Sequence, residues 1–371
     1  MTDESVLRLL MEEGRMTRAE IAVRTGISKT TISESMRRLG ATGMVVDTGE
    51  RTVGRGRSGS YYSLAEGSGC ALVASISPAG VVAEAVDAMG RLVARADLPL
   101  DRSAGEVRAS ESLTAAVRQV RDTAPGEVRV SVVSAADPVD RRTGRLVQLP
   151  DAPFLVGDLD PVAVVGAVVG GDVLVDNDVN WAARAERQSG SATDVDDFVY
   201  VHLGEGLGCA VVSDGEVRRG HRGFAGEIAH VVTHGPSGRA RPFTEVFAEL
   251  DLRRPGSTAV DVDALGTVVQ GGDALAERTL GVLADAVSGV LLAAISFSDP
   301  QVVVLGGPWA ARLPVLLEAL HLRIAQWPRT VPVTLASLLE SPELVGARAQ
   351  ALEMLRSAIV ETARETSAPA E

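Results

Sequence analysis

The chain has 371 residues, a formal net charge of −13, 46% apolar residues and only 3% aromatic residues. The apolar share supports a real core and excludes wholesale disorder, the length allows two or three domains, and the scarcity of aromatics argues against a base-stacking RNA-binding sheet. Two cysteines far apart in sequence, Cys70 and Cys209, exclude a disulfide scaffold and a multi-cysteine zinc site, and they suit a reducing cytoplasm.

Charge is uneven along the chain. Residues 1–64 sum to +2 and the other 307 to −15, and between 14 and 64 nine basic residues face four acidic ones. A basic segment fused to an acidic body suggests nucleic-acid contact confined to that end. Charged residues from Asp3 onward fit no signal peptide.

Val6, Leu7, Leu9 and Leu10 have helical spacing, and Gly14 ends that first helix. Thr17 and Glu20 form a capping box, which starts a second helix through Ile21, Ala22 and Thr25. Gly26 supplies a left-handed turn residue, and Ser28 is a good N-cap for a third helix. Ile32, Met36 and Leu39 share one face of that helix; Lys29, Thr30, Ser33 and Arg37 share the other. Two short helices around a tight glycine turn make a helix-turn-helix, with the third helix entering the major groove. The candidate DNA contacts here are Thr17, Ser28, Lys29, Thr30, Thr31, Ser33 and Arg37.

Residues 44–47 and 61–64 read as strands that bracket GERTVGRGRSGS at 49–60. Strands around a basic glycine-rich loop make a wing, and Arg55 and Arg57, flanked by glycine, suit a narrow minor groove. The alternative is a flexible basic linker; the bracketing strands favour the wing.

The remaining residues alternate strands with helices. Strands are expected at 71–76, 81–86, 91–96, 128–133, 173–176, 198–203 and 301–305, and helices at 109–121, 273–297, 310–324 and 344–362. This is an α/β body with parallel strands, large enough for two lobes. Its longest apolar run, 286–297, lies between Asp285 and Asp299 and is too short to span a bilayer. A soluble cytoplasmic protein without membrane contact is the expectation.

Three segments carry possible chemistry. In LVDNDVNWAARAE (174–186) a buried strand ends in Asp176-Asn177-Asp178, where α/β sheets bind ligands. Asp178 there would accept a hydrogen bond from a hydroxyl or remove its proton; helix capping by Asp178 or Asn180 is an equal reading. In VHLGEGLGCAVVSDGEV (201–217) a hairpin carries Gly204, Gly206 and Gly208, whose backbone N–H groups suit an anion, but Glu205 among them repels one. In RGFAGEIAHVVTH (222–234) Glu227 and His230 offer hydrogen-bonding groups to a polyol, although a surface loop with incidental charge fits too. His230 and His234 are four apart, with no cysteine near them to complete a metal site.

Taken together, these segments resemble the ROK family, which groups sugar-responsive repressors with sugar kinases, and the likeness covers essentially the whole chain. The Asn177-Asp178-Val179-Asn180 run is similar to the family's Asn-Asp-x-Asn sugar motif. Gly204-Glu205-Gly206-Leu207-Gly208 stands where the family has Gly-Thr-Gly-x-Gly. Gly226-Glu227-Ile228-Ala229-His230 matches Gly-Glu-Ile-Gly-His, and Gly306-Gly307 follows the last strand as the nucleotide-side glycine turn.

The resemblance implies a winged helix-turn-helix domain at 1–66 and a two-lobed, actin-like (ribonuclease H-like) body at 67–371. The small lobe would span about 67–177 plus the C-terminal helix, and the large lobe about 178–343. Asn177, Asp178, Glu227 and His230, with Glu245 as a further glutamate, would bind sugar hydroxyls.

The departures are specific. Family kinases carry Asp-x-Gly-Gly-Thr on the first hairpin; here residues 75–80 read SISPAG, without the carboxylate or the tandem glycines. Glu205 replaces a threonine, and both changes oppose ATP and magnesium. The family's zinc cysteines would fall near 235–244, which reads GPSGRARPFT. No zinc, nucleotide or other cofactor is therefore expected. The expectation is a repressor, a homodimer or higher homo-oligomer, that binds operator DNA and a sugar or sugar phosphate and has no catalytic residue. The alternative is an active sugar kinase, in which Asp178 would be the base.

Overall fold

The computed structural model describes residues 2–52, 58–102, 104–149, 154, 156, 158–312 and 314–367. The first unit is built from local signals. Helix α1 (Thr2–Glu13) is followed by the short strand β1 (Arg15–Thr17), α2 (Arg18–Thr25) and α3 (Lys29–Ala41). Thr17 and Glu20 form the expected reciprocal capping box, and Gly26 ends α2 at φ +70°. The Ser28 side chain caps α3 by accepting from the Thr31 N–H. Strands β2 (Val45–Arg51) and β3 (Ser60–Leu64) form the wing hairpin, and β1 adds to it in the order β1-β3-β2.

The body repeats one sheet plan twice. Strands β4 (Cys70–Ser77), β5 (Gly80–Asp87) and β6 (Leu92–Leu98) are antiparallel neighbours. Helix α4 (Glu106–Thr123) leads to β7 (Val128–Ala135), and α5 (Pro161–Val169) leads to β8 (Asp172–Asn177). The sheet order is β6-β5-β4-β7-β8, with β7 and β8 parallel to β4. Helix α6 (Asp178–Ser189) then crosses to β9 (Phe198–Leu203), β10 (Leu207–Ser213) and β11 (Glu216–Val217). An excursion follows: β12 (Val232–His234), β13 (Ala240–Pro242), α7 (Phe243–Glu249), α8 (Val262–Gln270) and α9 (Ala274–Ser298). Strand β14 (Val302–Gly306), α10 (Pro308–Arg312), α11 (Pro314–Ile324), β15 (Val333–Leu335) and α12 (Pro342–Ser367) close the chain. The second sheet runs β11-β10-β9-β14-β15, the same permutation as the first.

One expectation changes. Each sheet is mixed, not parallel, because tight turns join its first three strands and only antiparallel neighbours accept tight turns. The helix expected at 310–324 falls on α10 and α11, which flank residue 313, outside the described residues.

The apolar run 286–297 belongs to the 25-residue helix α9, which has a window of mean hydropathy 2.0 and is long and apolar enough to cross a membrane by length and composition. Here it is the core helix of the second lobe. Leu283, Val287, Val290, Leu291 and Ile295 pack there with Val303 and Phe247.

One apolar cluster crosses from the winged helix into the body. Val6, Leu7, Leu10 and Met11 of α1 join Ala71 and Val73 of β4 and Leu344, Ala347, Ala351 and Leu355 of α12. The boundary near 66 thus falls in a short turn, Glu66–Ser68, and does not separate two cores. Residue 178 opens α6, which gives Trp181 to this cluster and Ala182 and Ala183 to another in the second lobe.

Helices α6 and α12 approach so closely that a Cβ on Gly346 would lie 2.0 Å from the Trp181 carbonyl oxygen. Gly346→Ala must push the helices apart, at a cost of about 1–3 kcal/mol for overpacking. Urea unfolding should show a lower midpoint; an unchanged midpoint would mean that α12 shifts freely on α6.

Candidate functional site

The exposed face of α3 carries Lys29, Thr30 and Arg37, and neither charged side chain has an ion pair among the described residues. The other contacts expected on this face have local duties. Ser28 and Thr31 share a 2.8 Å hydrogen bond between their hydroxyls, and the Ser33 hydroxyl donates to the Lys29 carbonyl at 2.8 Å. Thr17 is buried and its hydroxyl serves the capping box, so the structure does not present it on this face. Arg38 is tied to Asp3 of α1 at 2.7 Å, and Asp3 also accepts from the buried Ser35 hydroxyl, which fixes α3 against α1. At the base of the wing, Thr52 and Gly59 pair through backbone and side chain. Arg55 and Arg57 lie outside the described residues.

The second candidate is a cleft of about 590 Å³ between the two sheets, at the ends of β4, β7 and β8 and beside the β9–β10 turn. Asn177, Asp178, Glu227 and His230 all line it. Strand β8 ends and α6 begins at this point, so the Asn177 side chain caps the helix by accepting from the Val179 N–H at 3.0 Å. Its amide donates to the carbonyls of Ala135 and Asp137 at 3.2 and 3.3 Å. The N-cap residue is Asn177, and Asp178 behind it shares the Val179 N–H, its Oδ1 accepting at 2.8 Å. Asn180 donates instead to Asp176, which also holds Arg219 at 2.6 Å. Asp178 lines the cleft from this first turn of α6.

Glu227 is positioned by a close backbone approach. Gly226 has φ +98°, and a Cβ on it would meet the Cys209 carbonyl oxygen at 1.8 Å. Only glycine lets the segment lie this close to β10, which brings Glu227 over the cleft. Glu245 is not brought there: it sits in the first turn of α7, half-exposed, with Arg253 at 3.1 Å.

The tertiary structure adds residues that the motifs did not single out. Asp137, Glu343, His202 and Arg102 also line the cleft. Asp137 lies two residues beyond β7, as Asp178 lies one beyond β8, so its position was readable. Glu343 comes from the first turn of α12 and has no local signal. Burial drives the carboxyls upward: Asp178 to about 8, with Glu343 adding repulsion, and Asp137 and Glu227 each to about 7. Burial also pushes His202 down to about 4, so its ring is neutral.

A pH prediction follows. Each of these carboxyls holds its proton more tightly in the folded chain than in the unfolded one. Their contribution to stability is complete below about pH 4 and is lost as pH rises through about 7 to 8. Asp178→Asn should therefore raise the urea midpoint more at about pH 8.5 than at about pH 5.5. Equal shifts at both pH values would contradict a raised Asp178.

The glycine turn at 204–208, expected to be a degenerate phosphate loop, has its polar groups engaged from within the protein. Gly206 and Gly208 line the cleft, while the Gly204 carbonyl accepts from the Trp309 indole N–H at 3.1 Å. The Glu205 carboxylate takes a forked bond from Arg102, one arm at 2.7 Å, and a third bond from Arg254 at 2.9 Å. On the opposite wall, Ser75, Ser77, Pro78 and Ala79 offer no carboxylate for a magnesium ion.

The segment 235–244 does not fit zinc either. Among the described residues no group of three or more His, Cys, Asp or Glu side chains is placed to hold a metal. The β12–β13 hairpin is joined to its surroundings by other means. The buried Thr233 hydroxyl donates to the Ala286 carbonyl at 2.7 Å, Arg241 pairs with Glu249, and Phe243, Phe247 and Trp309 contact one another in turn at tilted and edge-on angles.

Comparison with known proteins agrees with this architecture. The ROK family profile matches residues 83–353, and a winged helix-turn-helix DNA-binding profile matches residues 2–46. The chain is 30% identical over 145 residues to the bifunctional enzyme NanE/NanK of Brucella suis, covering 38% of this chain and 27% of that one. It is 20% identical over 229 residues to the xylose repressor of Bacillus subtilis, covering 61% of this chain and 59% of the repressor. The chain thus spans about a quarter of the first relative and about three fifths of the second.

Among solved structures, the ROK hexokinase of Thermus thermophilus superposes with a TM-score of 0.60 at 26% identity, covering 78% of this chain and 99% of that one. A ROK family transcriptional regulator, a homolog of the E. coli MLC protein, superposes with a TM-score of 0.69 at 17% identity, covering 98% of both chains. The family profile spans well over half of the sequence, and the duplicated sheets and the N-terminal winged helix agree with it: the chain belongs to the ROK family.

Proposed function

We propose that this protein is a cytoplasmic transcriptional repressor that binds operator DNA as a homodimer and responds to a sugar held in a cleft that does not phosphorylate it. The observation that carries the reading is the course of α12. Its first turn puts Glu343 in the cleft, and the helix runs on for 26 residues, about 39 Å, to the winged helix. At that far end Arg356 donates to the Met11 carbonyl at 3.2 Å, and Arg364 pairs with Glu4 at 2.6 Å. A ligand that changes the fit of the two lobes around the cleft would therefore move an element packed on α1. Its differential affinity for two lobe arrangements would bias the spacing of the two recognition helices of a dimer.

Asp178 serves in this reading as a hydrogen-bond acceptor or donor for a sugar hydroxyl. The Glu205 clamp and the bare first hairpin support the absence of phosphoryl transfer, which depends on cradling and neutralising phosphate. A second reading, an active sugar kinase, draws on the likeness to a ROK hexokinase and on a carboxyl placed where a base would stand.

The test is a titration of labelled DNA from upstream of the protein's own gene at two salt concentrations, with unrelated DNA as control, repeated with sugars added. Selective, salt-steep binding that a sugar changes is the expected result. No binding at low salt, with or without sugars, would overturn the regulator. Sugar-dependent ATP consumption by the same preparation would establish the kinase.

A further inference from the structure

We infer that the cleft takes a hydroxyl-rich sugar bearing neither phosphate nor carboxylate, and that Asp137 is one of the residues that bind it. The inference deepens the sugar reading above and rests on it. Asp137 follows β7 at the cleft wall and is only 3% exposed. Its Oδ2 is buried and has no hydrogen-bond partner among the described residues, while the carboxyl accepts from the Val156 backbone N–H. A buried acceptor left open is costly, and the residue that carries it stands in the wall of the cleft.

The company of Asp137 sets the charge of that ligand. Asp178, Glu227 and Glu343 line the same cleft. The only arginine among its described lining residues is Arg102, whose guanidinium is already forked onto Glu205. The His202 ring is neutral, and His230 stands exposed at the rim. An anionic substituent would enter among four acidic groups with the cleft's arginine engaged elsewhere, and it would be repelled by each of them that ionises. Sugar hydroxyls meet no such barrier. They donate to a carboxylate and accept from a carboxylic acid, so carboxyls poised near neutrality satisfy them in either form. An amino sugar satisfies the same geometry with an added attraction.

The experiment uses the full chain in calorimetric titrations with glucose, xylose, mannose and glucosamine, and with glucose 6-phosphate and gluconate. At least one of the first four should bind, with the phosphorylated or acidic counterpart weaker by about tenfold or more. Asp137→Ala should weaken the bound sugar by about tenfold or more, while circular dichroism and the ligand-free melting temperature stay near those of the parent. Asp137→Asn preserves the shape and serves if the alanine variant does not fold; it too should weaken binding. Tighter binding of glucose 6-phosphate or gluconate than of glucose would overturn the inference and leave the sugar reading standing. Undiminished sugar binding by both Asp137 variants would remove Asp137 from the site. Binding of none of the six would count against the sugar reading itself and take this inference with it.

Discussion

The double variant Lys29→Ala/Arg37→Ala should bind operator DNA about a hundredfold more weakly than the parent, with a shallower dependence on salt. Both side chains stand on the exposed face of α3 without an intramolecular ion pair, so their charges are available to a duplex. A specific base contact is worth about 1–3 kcal/mol, and each lost phosphate contact lowers the salt slope by about one. Two such losses make roughly two orders of magnitude. Folding should be untouched, because the helix is held by Ile32, Met36 and Leu39 beneath and by the Arg38–Asp3 pair at its side. Fluorescence anisotropy at two salt concentrations reads both quantities. An affinity within twofold of the parent would place the DNA contact elsewhere than on α3.

The largest stability effect is expected at Glu84. This carboxylate lies wholly buried on β5 and takes bonds from Arg95 of β6 and, at 2.5 and 2.9 Å, from Arg348 of α12. It joins the edge of the first sheet to the helix that spans from the cleft to α1. Glu84→Ala leaves two guanidiniums facing a cavity. Breaking a buried pair costs about 3–5 kcal/mol, and the lower end applies because both arginines keep some contact with solvent. That is a large fraction of a typical domain's stability. Chemical denaturation should show it as a lowered midpoint, and Glu84→Gln should recover part of the loss through its remaining acceptor. A variant as stable as the parent would show that packing, and not this triad, holds α12 to the sheet.

The two effects are linked in the proposed mechanism. A repressor whose α12 is loosened at Glu84 should still fold its winged helix, since Thr17, Gly26 and Ser28 set that unit locally. It would lose rigidity between the cleft and α1, where Arg356 and Arg364 make the far contacts.

Much of this protein was legible residue by residue. The capping box, the left-handed Gly26 and the Ser28 cap are interactions within four positions of one another, so the helix-turn-helix could be read from local chemistry alone. The same holds for the Asn177-Asp178 junction, where a buried strand meets a helix start, whereas Glu227 owes its place to the approach of Gly226 to the Cys209 backbone. Local signals also misled. Thr17 looked available to DNA but is consumed by its own cap, and Glu245 matched a motif but lies beside Arg253 outside the cleft lining.

What the chain order could not carry was everything that depends on two distant segments meeting. Glu205 read as a residue hostile to phosphate, but that Arg102, 103 positions away, places its fork on that carboxylate follows only from the packing of the two lobes. Glu343 reaches the cleft because α12 returns across α6 at a contact that admits no Cβ on Gly346. Sequence by itself determined the elements, the family and the strand-end carboxyls, because these depend on hydrogen bonds and periodicities that close within a turn or a strand. Only the tertiary structure decided which carboxyls share one cleft, which arginine is already engaged, and that a single helix links that cleft to the DNA-binding unit. Those facts depend on burial and close approach, which exist only after the chain has folded.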